Sequence, residues 1–122
     1  EDQERFDERW PHLAATPAAT RFISYEPALG PVDFGAAMFG PVRVDQIIIG
    51  GESGPGARPF HAEWAVSALA QCNARGVAAF MKQFGAKPVL GGKPMVLTDK
   101  KGGDMSEWPE DLRVREFPEP RP

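Results

Sequence analysis

"VDQIIIGGESGPGARP", residues 44–59, runs from the apolar triplet Ile47-Ile48-Ile49 straight into a glycine-rich loop that carries one carboxylate, Glu52, and one guanidinium, Arg58. Three consecutive β-branched residues suit a strand buried on both faces, the condition of strands in parallel sheets. Gly50-Gly51-Glu52 ends that strand. The loop invites a phosphate reading and fails it twice. Gly51 and Gly56 have Walker spacing, but Ala57-Arg58 stands where Lys-Ser/Thr is required. Gly54-Pro55-Gly56-Ala57-Arg58 is followed by Pro59, which breaks the dinucleotide pattern G-x-G-x-x-G. What the glycines supply is backbone freedom: Gly50-Gly51 allows close approach of a ligand or another chain, and Gly54-Pro55-Gly56 fixes a tight turn. Arg58 offers a forked donor either to an anionic ligand or to Glu52 or Glu26 in a salt bridge.

Working outward, residues 61–75 place Trp64, Ala65, Ala68, Leu69 and Cys72 on one stripe, with Gly76 as C-cap, and predict a helix. Val77-Ala78-Ala79-Phe80-Met81 follows as another apolar run, giving a β-α-β unit whose strands are parallel. Upstream, Arg21-Phe22-Ile23-Ser24-Tyr25-Glu26 reads as a strand closed by Pro27, and 28–41 as a loop. Residues 2–10, with Phe6 and Trp10 at i, i+4, predict a helix capped by Asp2 and bent or ended by Pro11, with Thr16-Pro17 opening a further turn. Past Gly85 the texture changes. Lys87-Pro88 and Gly91-Gly92-Lys93-Pro94 act as punctuation, and Met95-Val96-Leu97 is expected to pair with Leu112-Arg113-Val114 around the tip 99–104. Ser106-Glu107-Trp108-Pro109 suits one helical turn, and Trp108 and Phe117 suit pinning the tail. The fold class expected is α/β: a partial (β/α) barrel with parallel strands near 21–26, 44–50 and 77–82 over a segment 1–92, and an irregular, hairpin-like extension, 93–122, packed on it.

Each predicted strand finishes in an ionisable residue: Glu26, Glu52 and Lys82. In parallel α/β sheets those ends share one edge, where such folds place binding groups. Glu26, Glu52, Ser53, Arg58, Lys82 and Gln83 are therefore the candidate substrate- or cofactor-binding set, with catalytic roles unassigned. Glu26 and Glu52 could also form the carboxylate pair of a hydrolase. His61 and His12 read as a helix-start residue and an isolated one. Cys72 on the apolar stripe reads as a small hydrophobe, and no metal-ligand spacing is present.

The chain has 122 residues, a formal net charge of −3 and one cysteine, which suits one core, excludes an internal disulfide and gives no global attraction to polyanions. Residues 44–103 hold seven Arg/Lys against four Asp/Glu, so a nucleic-acid- or anion-binding patch within 58–101 is a third reading. Lys100-Lys101-Gly102-Gly103-Asp104 reads as an exposed hairpin tip rather than an anion site. No apolar run is long enough to span a membrane, and the chain is expected to be cytoplasmic. The opening Glu-Asp-Gln suggests a fragment of a longer protein.

Read in order, RFISYEPALGPVDF, VDQIIIGGESGPGARPFHAEWAVSALAQC, VAAFMKQFG and KKGGDMSEWPEDLRVREFP resemble the C-terminal half of an uncharacterised family of phage and prophage proteins. That family has an N-terminal three-cysteine motif and is similar to radical SAM enzymes. The resemblance implies a (β/α) barrel in which the strands above are the sixth, seventh and eighth. It also implies a 4Fe-4S cluster and S-adenosylmethionine bound by the full-length protein, with no cofactor held by this fragment alone. Glu26, Glu52, Arg58, Lys82 and Gln83 would then face the barrel mouth. Gly50-Gly51-Glu52 follows a late strand, whereas the cofactor-contacting GGE motif of radical SAM enzymes follows an early one, so that role is not transferred. Partners expected are the missing N-terminal half and, for the isolated piece, a second copy, because a slice of barrel exposes sheet edges. Alone it is expected to be inert.

Overall fold

The computed structural model describes residues 2–17 and 20–118. Its centre is an all-parallel sheet in the order β1 (Phe22–Tyr25), β2 (Gln46–Gly50), β4 (Ala78–Gln83). Ile23, Ile47 and Ala79 lie abreast, as do Tyr25, Ile49 and Met81. Because side chains alternate along a strand, these six share one face, and all six are buried. Ile48 points to the other face and is only partly buried, so of the burial expected on both faces only that of the face bearing Ile47 and Ile49 is realised in full. Among the described residues the sheet remains open and does not close into a barrel.

Helix α3 (Ala62–Arg75) links β2 to β4 and buries Ala62, Ala65, Ala68 and Cys72 in the same core, with Trp64 and Leu69 packed at its margin. Its C-cap is Gly76, whose left-handed backbone suits a residue without Cβ. Gln71 holds the β1–β2 connection by accepting from Phe34 N–H at 2.7 Å and donating to the Val32 carbonyl at 2.8 Å. That connection, expected to be loop, contains helix α2 (Gly35–Phe39) with Ala37 and Met38 buried. Five residues, beginning at Gly35 and capped by Gly40, are too short to show a helical period.

Helix α1 (Gln3–Ala15) is capped by Asp2, whose carboxylate accepts from Arg5 N–H at 3.1 Å. Of the bend or end expected at Pro11 the end is not realised, since the helix runs on to Ala15 with Thr16 as its C-cap; the further turn expected from Thr16-Pro17 runs into residues 18 and 19, which lie outside the described residues. A proline removes one internal hydrogen bond, but Phe6 and Trp10 are buried, and Phe6 meets Phe34, which in turn meets Tyr25, edge to face at 5.1 and 5.4 Å. This packing holds the helix across the break.

The segment read as punctuation forms a second, mixed sheet: β3 (Phe60–His61) is parallel to β5 (Pro88–Leu90), which turns at Gly91-Gly92 into antiparallel β6 (Lys93–Pro94). Residues 95–97 form no strand. The segment around Val114–Glu116 pairs with β4 instead, through an antiparallel bridge of Phe80 to Arg115. Met105–Glu107 and Glu110–Leu112 are single 3-10 turns. Trp108 anchors this region, fully buried and stacked on Phe84 at 5.0 Å, whereas Phe117 is 74 % exposed.

Candidate binding site at the strand ends

Glu26 follows β1 and Lys82 lies near the end of β4, with β2 between them. They nevertheless form an ion pair, Lys82 Nζ to Glu26 Oε1, at 3.2 Å. Gly50 makes the crossing possible: a Cβ there would lie 3.1 Å from both Cγ and Oε2 of Glu26. The close approach expected at this glycine is therefore made by the chain's own carboxylate. At Gly51 the neighbour is backbone, with a Cβ placed 2.2 Å from the Phe84 carbonyl oxygen.

Below the ion pair, on the sheet face away from α3, lies a basin of about 490 Å³. Its floor is Phe22, Ile48, Phe80 and Phe117, with Ser24 and Gln46 as polar members and Glu26, Lys82 and Arg115 as charged ones. Phe22 is 57 % exposed. Arg115 is fixed by donating to the Met81 carbonyl from Nε at 3.1 Å and to the Lys82 carbonyl from an Nη at 3.0 Å, and its guanidinium lies 5.1 Å from the Phe80 ring centre. Sequence reasoning missed Phe22, Gln46, Phe80, Arg115 and Phe117. The alternation Phe22, Ser24, Glu26 against Ile23, Tyr25 was the available signal for the first of these, whereas the tail's return onto β4 left none.

Glu52 and Arg58 form a second, separate unit. Arg58 donates Nε to Oε1 at 3.0 Å, an Nη to Oε2 at 2.6 Å and its backbone N–H to Oε1 at 3.0 Å. These bonds, side chain first and backbone second, pull the Glu52 carboxyl from an ordinary 4.5 to about 2. The salt-bridge reading of Arg58 is thus the one realised, with Glu52 as its partner. The pair clamps the base of loop 53–57, leaving Ser53 exposed. Gln83 donates to the Gly51 carbonyl at 3.1 Å and is part-buried. Of the six candidates, Glu26 and Lys82 meet directly over the basin, Glu52 and Arg58 brace a loop, and Gln83 ties β4 to the end of β2.

The stretch 99–104 is docked rather than a free tip. Phe84 N–H donates to the Gly102 carbonyl and Gly85 N–H to that of Lys101, at 2.8 and 2.9 Å, and Trp108 Nε1 also donates to Gly102. Within it Asp99 accepts from Gly103 N–H at 2.6 Å, and just beyond it Glu107 accepts from the Thr98 hydroxyl and the Thr98 and Asp99 amides. The side chains of Lys100 and Lys101 are exposed.

His61 precedes α3 without a side-chain cap bond and rests on Trp64 at 4.7 Å. His12 is exposed in the last turn of α1. Burial, with the nearby charge of Glu116 secondary, pushes the Cys72 thiol up to about 12, which makes it an inert core group. Among the described residues no three His, Cys, Asp or Glu side chains group as metal ligands, and no helix is long and apolar enough to cross a membrane.

With this geometry in hand, residues 1–107 match a protein family described as Protein of unknown function (DUF5131). The chain belongs to the DUF5131 family. The matched residues take in the parallel sheet, the Glu26–Lys82 pair, the Glu52–Arg58 clamp and the docked 99–104 segment, whereas Arg115 and Phe117 lie beyond them on the tail. Comparison with curated proteins and with solved structures gives no match.

Proposed function

We propose that this DUF5131 chain is the C-terminal wall of a larger (β/α) barrel of radical-SAM type, in which the basin closed by Glu26 and Lys82 contacts substrate or cofactor. The observation that carries this reading is the open face of an all-parallel sheet. Such sheets are ordinarily covered on both faces, yet here Phe22, Ile48, Phe80 and Phe117 floor an uncovered basin with an ion pair at the strands' C-terminal ends, the usual site in these folds.

The residues present do not fit a 4Fe-4S cluster, because the one thiol, Cys72, is buried and held protonated. The cluster of the proposed reading would be held by the remainder of the protein, and no step here passes through it. The basin does fit S-adenosylmethionine in its donor chemistry: Lys82 suits a carboxylate, Glu26 an ammonium, and the aromatic floor an adenine ring. When bound, that cofactor supplies radical chemistry; this chain's residues bind and orient, and the apolar floor excludes water. A two-carboxylate hydrolase gains less support, since both Glu52 oxygens are engaged by Arg58 while Glu26 pairs with Lys82 in a separate unit.

Equilibrium dialysis of S-adenosylmethionine against the longer protein tests the reading. Glu26→Gln and Lys82→Met should each weaken binding by about 10-fold or more, as the loss of a charged hydrogen bond does, with the far-ultraviolet spectrum unchanged. Unaltered affinity in both variants would remove the basin from the site. The 122-residue chain alone should take up no iron–sulfur cluster and cleave no S-adenosylmethionine, and either activity would refute the assignment.

A further inference from the structure

The tail returns along the outer edge of β4 and carries Arg115 to the rim of the basin. Met81 N–H donates to the Val114 carbonyl at 2.7 Å and Glu116 N–H to the Ala79 carbonyl at 2.8 Å, which sets Arg115 opposite Phe80 in antiparallel register. Ser24, Ile48 and Phe80 lie abreast in the parallel sheet. Cross-strand partners share a face, so Arg115 extends that row by one position on the uncovered side. The adjacent carboxylate, Glu116, accepts from Ala79 N–H at 3.0 Å and does not line the basin.

Within the basin the charges do not balance. Glu26 and Lys82 neutralise each other as an ion pair. Arg115 is the charged lining residue left over, and no carboxylate among the described residues pairs with it, unlike Arg5 and Arg58, which meet Glu8 and Glu52. Its Nε and one Nη are turned to the Met81 and Lys82 carbonyls, and its guanidinium lies 5.1 and 5.7 Å from the ring centres of Phe80 and Trp108. These contacts fix the plane of the group and leave the outer edge of its fork, with the other Nη, without a partner among the described residues. That edge matches two oxygens of a carboxylate or phosphate, and a donor already held in place loses little freedom on binding. Beside it Phe80 and Phe117 meet edge to face at 5.6 Å, an apolar corner suited to a flat ring.

We infer that the basin recognises a ring-bearing oxyanion: a small planar molecule whose carboxylate or phosphate is held by Arg115 while its ring rests on Phe80 and Phe117. This rests on the placing of the substrate site in the basin and deepens it. The carboxylate of S-adenosylmethionine is matched to Lys82, so Arg115 is left for the substrate. Arg115 then selects substrate by charge, and that selection comes from the tail and not from the strand ends.

Equilibrium dialysis of naphthoate, naphthyl phosphate and naphthamide against the 122-residue chain, at a concentration where it is monomeric, tests this. The ring is constant and the charge differs. Both anions should bind about 10-fold or more tighter than the amide, as hydrogen bonds to a charged group do, and the tighter of the two tells carboxylate from phosphate. Arg115→Gln should abolish that advantage and leave the amide within about twofold, with slow exchange of the Met81 amide showing that the tail stays docked. Equal binding of anions and amide by the unaltered chain, or no binding of either, would overturn the inference, whatever Arg115→Gln does to the tail. So would an anion preference that survives Arg115→Gln. If the preference is absent while the longer protein still binds S-adenosylmethionine through Glu26 and Lys82, the inference fails and the proposed function stands. If the anions bind through Arg115 but Glu26→Gln and Lys82→Met leave S-adenosylmethionine affinity unaltered, the proposed function falls and the anion site remains.

Discussion

Gly50 and Gly51 are adjacent, and a methyl group at each would meet a different obstacle. At Gly50 it would press on the Glu26 side chain at 3.1 Å, which can move; at Gly51 it would enter the Phe84 carbonyl at 2.2 Å, which cannot without shifting β4. Gly50→Ala should therefore break the Glu26–Lys82 pair and cost about 1 kcal/mol or less, the worth of an exposed pair. Gly51→Ala should cost about 3 kcal/mol, as overpacking does. Urea denaturation distinguishes the two. Glu52 makes a pH prediction with a definite sign. Its folded value of about 2 lies below the ordinary 4.5, so the unfolded chain binds the proton more readily. The clamp's contribution is full above pH 4.5 and is lost as pH falls toward 2. Carbon-13 titration of the Glu52 carboxyl should show the low midpoint, and Arg58→Ala should raise it without restoring 4.5, because the residue-58 amide remains a donor.

At the scale of elements, the β/α rhythm was legible. Strands expected near 21–26, 44–50 and 77–82 are Phe22–Tyr25, Gln46–Gly50 and Ala78–Gln83, and the helix over 61–75 is Ala62–Arg75. Their apolar patterns are local and dense. Pro11 misled because backbone propensity is local, whereas the packing of Phe6 and Trp10 that carries α1 through it is not. Pro11→Ala should restore an internal hydrogen bond and raise stability by about 1–3 kcal/mol, read as a higher midpoint of thermal unfolding. The tail misled for the same reason: 112–114 was paired with its near neighbour 95–97, although its partner, β4, lies over thirty residues away. Trp108 holds that return by stacking on Phe84 and donating to Gly102. Trp108→Ala should cost about 3–5 kcal/mol, the range for a buried aromatic, and should release both the 99–104 segment and the tail, visible as rapid exchange at the Phe84 and Gly85 amides.

Among the described residues, one face of the parallel sheet and one of its edges are covered. The uncovered face and the β1 edge meet at Phe22, so the isolated chain should self-associate at high concentration. Light scattering after size exclusion should report a mass above 13.3 kDa, and Phe22→Asp should shift it toward the monomer; a clean monomer for the unaltered chain would refute this. The sequence by itself determined the parallel α/β character, the helix behind β2, the presence of ionisable groups at the strand ends and the failure of "IIIGGESGPGARP" as a phosphate loop, because each depends on residue type and short-range spacing. Only the tertiary structure decided which carboxylate meets which cation, that Gly50 admits Glu26 and Gly51 the Phe84 backbone, and that the tail seals β4. Those outcomes depend on strand order and register, which bring together residues as distant as Glu26 and Lys82 through contacts with no counterpart in the local pattern.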